Sequence, residues 1–90
     1  MKKIPDTVAP YKRTATFKED SVPKGLLADH RTKAGVWGVI TVTAGRLEYT
    51  IPSSDEVITL EPGVNGIVEP DVPHRVKPLG TVEFHVEFYR

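Results

Sequence analysis

Ninety residues suffice for one small domain, and a chain this short buries only roughly 60% of its unfolded surface, enough for one thin core. Twelve basic and twelve acidic residues balance to a formal net charge of zero. That balance argues against electrostatic attraction to nucleic acid or to an anionic membrane, and it leaves pairing into a homodimer open.

The lack of cysteine removes disulfides and thiolate metal sites from consideration. Met1-Lys2-Lys3-Ile4-Pro5-Asp6 carries two lysines with no apolar stretch behind them, so it does not read as a secretory signal. No run reaches the length of a membrane-spanning helix, and a cytoplasmic protein is the default expectation. Residues 1–10 read as a loosely ordered arm on a single domain spanning 1–90.

The elements are short, because eight prolines and seven glycines interrupt the chain. Residues 11–17 (YKRTATF) are a candidate first strand. Residues 21–30 hold Leu26 and Leu27, but Pro23 and Gly25 limit them to about one turn of helix. Residues 36–43 (VWGVITVT) are rich in β-branched side chains, which suit a pleated, half-buried surface. Ala44-Gly45-Arg46 then reads as a turn, and Leu47, Tyr49 and Ile51 alternate with Glu48 and Thr50, so the pattern predicts a hairpin. Residues 52–55 form a loop, 56–60 (EVITL) a strand, and 66–69 another. A brief strand over 74–77 is closed by Pro78-Leu79-Gly80. The last strand, 81–89, sets Val82, Phe84, Val86 and Phe88 on one side and Glu83, His85, Glu87 and Tyr89 on the other. Short strands between Gly/Pro turns predict an all-β fold, a sandwich or barrel.

Three histidines, His30, His74 and His85, are the candidate nitrogen ligands. His74 shares a strand face with Val76, because side chains alternate with period two. If Val76 faces the interior, so does His74, and a buried imidazole there serves as a metal ligand or a general base. His85 reads as an exposed cross-strand partner of an acidic residue, and Glu48 as a solvent-facing strand residue. Trp37 reads as core or interface. Ser21, Ser53 and Ser54 lack the strand-turn-helix setting of a catalytic nucleophile, and no phosphate-binding glycine loop occurs.

The segment from Gly63 and Val64 to Glu69-Pro70-Asp71-Val72-Pro73-His74 resembles the second sequence motif of cupins, and residues 29–45 lie where the first motif belongs. The chain departs from that pattern: it has His30 alone in place of His-x-His, Gly38 near the expected glutamate, and a proline-to-histidine spacing one residue short. A closer resemblance is to the TehB/YeaR-like family of small domains, carried by HRTKAGVWGVITVTAGRLEY, VEPDVPHRV and the closing EFYR. The resemblance implies a cupin-like jelly-roll barrel or sandwich of short antiparallel strands and a link to tellurite resistance or related stress. It also implies a reduced metal site of His30 and His74 for a divalent ion (zinc, iron, nickel or manganese), with His85, Glu87 or Glu48 as further candidates to complete it. The expected occupant is a small molecule or oxyanion. A metal-dependent cupin enzyme of the dioxygenase or isomerase class and a non-catalytic homodimeric interaction module are the alternatives.

Overall fold

The computed structural model describes residues 2–90; Met1, the first residue of the expected arm, lies outside the described residues. Among the described residues six strands form one antiparallel sheet: β1 (Pro10–Arg13), β2 (Phe17–Lys18), β3 (Trp37–Ile51), β4 (Glu56–Leu60), β5 (Gly66–Val68) and β6 (Arg75–Tyr89). A four-residue helix, α1 (Lys24–Leu27), and a 3-10 turn, Pro52–Ser54, are the helical pieces. The all-β expectation therefore holds. No helix among the described residues is long and apolar enough to cross a membrane.

The centre of the sheet is the pairing of β3 with β6, which runs from Trp37↔Tyr89 to Thr50↔Arg75. On one side of it β1 and β2 pair with β6; on the other β4 and β5 pair with β3.

The expected hairpin at Ala44-Gly45-Arg46 is not formed; residues 37–51 are one strand of 15 residues. The glycine signal belongs to a bulge instead of a turn. Gly45 has φ of +76°, the register to β6 shifts on either side of it, and a β-carbon built there would lie 1.9 Å from the Thr81 carbonyl oxygen. Between Val42↔Phe84 and Ala44↔Glu83, β3 spends one residue more than its partner. That extra residue reverses which positions face inward: Ile40 and Val42 are buried before the bulge, Leu47, Tyr49 and Ile51 after it. The expected break at Pro78-Leu79-Gly80 is absent for the same reason, since β6 runs through it with Pro78 paired to Leu47.

Val76, Val82, Phe84 and Val86 of β6, with Leu60 and Val68, complete the core. Tyr49 is buried there, and its hydroxyl donates to the Ile67 carbonyl at 2.9 Å. Burial and nearby carboxylates push its pKa far up, so it remains a neutral donor.

Candidate functional site

His30 and His74 face each other across an antiparallel bridge in which each backbone N–H donates to the other's carbonyl at 2.8 Å. A pair bonded in both directions puts its two side chains on the same face, and the imidazoles accordingly meet edge to face with centroids 5.7 Å apart. Flanking contacts hold the two segments in register. Arg75 donates to Asp29 at 2.8 Å, Arg31 to Asp71 at 3.4 Å, and the Asp71 N–H to the Thr32 carbonyl at 3.2 Å. Asp71 takes a left-handed conformation, φ 58°, in the proline-rich corner that turns the chain into β6.

Both imidazoles line a cavity of about 250 Å³. Its walls are Ile40, Val68, Val76, Phe84 and Val86 of the sheet, with Phe17, Phe88 and Leu26 at its sides. His74 and Val76 are both buried and both line it, as their shared face predicts. His30 is exposed and forms part of the rim. Thr14 and Thr32 also line the cavity, but their hydroxyls are engaged. Thr14 Oγ1 donates to Ala15 O at 2.9 Å and accepts from the Val86 N–H at 3.0 Å, and Thr32 Oγ1 donates to Val36 O at 2.8 Å.

The His74 ring is fixed by a contact from Nδ1 to the Val72 carbonyl at 3.3 Å and by the edge-to-face packing of Tyr49 at 5.9 Å. A carbonyl only accepts, so Nδ1 carries the proton, and in the neutral ring Nε2 is left as an acceptor. Burial lowers the His74 pKa, the Val72 hydrogen bond opposes that, and the neighbouring His30 adds to it.

His85 is not the exposed residue expected. It is 8% exposed and takes a hydrogen bond on Nδ1 from the Arg13 guanidinium at 3.3 Å, because β1 pairs alongside β6 and brings Arg13 to that face. Burial, then Arg13, lowers its pKa. On the same side, Tyr89 donates to Glu87 at 3.0 Å. Glu48 lies on the face of β3 opposite the buried Leu47 and Tyr49, as expected, and is half-buried between Thr59 of β4 and Lys77 of β6. None of His85, Glu87 and Glu48 lines the cavity.

The expectation of a divalent metal is therefore corrected. Among the described residues no group of three or more His, Cys, Asp or Glu side chains is placed to hold an ion. A two-imidazole pair without a carboxylate falls short of the three protein ligands usual even in open catalytic sites. The missing carboxylates are those on the wrong face of β3 and β6.

Two buried histidines with lowered pKa values make stability depend on pH. For each, protonation costs more in the folded protein than in the unfolded chain. The unfolded chain therefore binds more protons from near the ordinary value of about 6.5 down to the lowered folded values, and stability falls on acidification through that window. The urea midpoint is expected to be lower at pH 5.5 than at pH 7.5, and the difference to shrink in a His74→Gln/His85→Gln variant. A midpoint equal or higher in acid would contradict the assignment.

These features define a class: a small antiparallel β-domain with an apolar cavity at whose mouth two histidines are paired. Residues 12–86 match the family described as TehB-like domain, and the chain belongs to that family. It is 34% identical over 86 residues to the probable S-adenosyl-L-methionine-dependent methyltransferase TehB of Haemophilus influenzae (strain ATCC 51907 / DSM 11121 / KW20 / Rd), covering 88% of this chain and 30% of that protein. The corresponding protein of strain 10810 is 31% identical over the same length. The crystal structure of TehB from H. influenzae superposes with a TM-score of 0.81 at 30% identity, over 93% of this chain and 32% of that one. A crystal structure of an E. coli (strain K12) protein matches the fold along 100% of this chain and 97% of its own, with a TM-score of 0.87 at 23% identity. The chain spans just under a third of the length of the curated relatives it matches. The cofactor in those relatives' names is S-adenosyl-L-methionine, not a metal ion.

Proposed function

We propose that this TehB-like domain is a cupin-like binding module whose cavity takes a small, neutral, largely apolar molecule. The observation that carries the reading is the 250 Å³ cavity itself, walled by Ile40, Val68, Val76, Phe84 and Val86 and reached past His30 and His74. Its size sits just below the range of drug-sized pockets, roughly 300–1,000 Å³, and above the roughly 150 Å³ apolar cavity that accepts benzene. A single ring or a compact branched chain is the matching size.

Among the described residues no Lys or Arg lines the cavity, so an inorganic oxyanion entering it would lose its hydration without gaining a counter-charge. S-adenosyl-L-methionine, named for the relatives, is a cation carrying a nucleoside and an amino acid, and it exceeds this volume. The reading for this domain is a ligand-sensing or ligand-delivering unit in a tellurite-resistance-related system, acting in the cytoplasm. The cupin-like assignment draws support from the proline-rich corner that delivers His74 to the cavity.

Toluene is the plain probe. Added to the protein labelled with ¹⁵N, it is expected to shift the amides of Ile40, Val68, Val76 and Val86 saturably, with a dissociation constant on the order of 0.1–1 mM. No saturable shift up to the solubility limit, or shifts scattered over exposed residues, would remove the cavity as the site.

A further inference from the structure

The cavity is apolar on nearly every side, so the polar groups that remain in its wall decide what it prefers. The hydroxyls of Thr14 and Thr32 are already donating to backbone carbonyls, at Ala15 and Val36. His30 stands at the rim, where water reaches it. His74 is different: it is 4% exposed, its Nδ1 is held by the Val72 carbonyl, and Nε2, with no protein hydrogen bond among the described residues, keeps some accessible surface. The ring cannot simply turn over to change this, because Tyr49 and His30 pack against it edge to face at 5.9 and 5.7 Å and the Val72 carbonyl demands a donor.

Resting on the cavity reading above, we infer that the site selects ligands bearing one hydroxyl or N–H donor on an apolar body, of phenol-like size, with His74 Nε2 as the acceptor. Selection follows from an asymmetry. An apolar cavity with no acceptor strips the ligand's donor of water and returns nothing, which is strongly unfavourable. An accessible acceptor in the wall converts that penalty into a hydrogen bond, and it rejects ligands whose only polar atom is itself an acceptor, since the two lone pairs would face each other. The proton stays on the ligand; the step is recognition and no bond is made or broken.

Phenol and toluene have nearly the same shape and differ by one hydroxyl against one methyl, so their ratio of affinities isolates the donor. Phenol is expected to bind the wild-type protein at least as tightly as toluene. In His74→Leu the phenol-to-toluene ratio is expected to fall by roughly tenfold or more, the cost of an unsatisfied buried donor. A second measurement uses only the wild-type protein and does not depend on that variant folding: the ¹⁵N resonance of His74 Nε2 moves when phenol is added and stays put with toluene. If toluene binds while phenol is refused, or if phenol binds and the Nε2 resonance does not respond, the donor selection is wrong and the cavity reading stands. If neither molecule binds, both fall together.

Discussion

Gly45→Ala is expected to destabilise the protein by about 3–5 kcal/mol, a large part of the roughly 5–13 kcal/mol available to a domain of this size. The φ of +76° costs an alanine about 1–2 kcal/mol by itself. The rest comes from the backbone: the new methyl would sit 1.9 Å from the Thr81 carbonyl oxygen and 2.9 Å from the Val82 α-carbon, neither of which moves without breaking the β3–β6 register. Gly80→Ala is the internal control. Its φ is +83°, but open space surrounds the site, so only the conformational cost applies. Equilibrium urea unfolding of the two variants beside the wild type separates the contributions. Equal losses at both positions would show that the close approach at the bulge carries no weight.

Phe84→Ala is the second large effect. Phe84 is fully buried, faces Val42 across the central ladder, packs edge to face on Phe17 at 5.6 Å, and forms a wall of the cavity. Truncation is expected to cost about 3–5 kcal/mol. The lost ring also enlarges the cavity, so a molecule bigger than toluene, such as naphthalene, is expected to stabilise the variant more than the wild type. Thermal unfolding with and without naphthalene reads both effects. A loss below about 1 kcal/mol would mean that neighbouring side chains collapse into the gap, and naphthalene would then give no added protection.

Much of the local structure was legible in the sequence, and the failures share one cause. Residues 56–60 read as a strand because β-branched residues lie between breakers, and β4 has those bounds. Pro23 and Gly25 confined α1 to four residues. The two long strands are not legible as such, because glycine followed by a change of alternation has the same local signature in a turn and in a bulge. Only the partner strand distinguishes them, and β6 lies far away in sequence. The burial of His85 is hidden in the same way, since its cover, Arg13, comes from the opposite end of the chain.

For the site, the alternation linking His74 to Val76 placed the imidazole correctly. The pairing of His30 with His74 followed from motif resemblance alone, and the apolar character of the cavity was not anticipated. Its lining draws on residues from β2 to β6, each unremarkable as a core residue where it stands.

The sheet ends in two margins of opposite sign. Along one, Pro10 has no N–H to offer, and Lys12, Arg13 and Lys18 are basic; along the other, Glu56 opens β4 and Glu61 follows it. A molecule of zero net charge has little overall repulsion to keep copies apart, yet bringing like margin to like margin would set like charges across the new ladder, which is unfavourable. Unlike margins attract, and there the defence against endless edge-to-edge stacking is geometric: strands of two to five residues and a proline where the first donor would be.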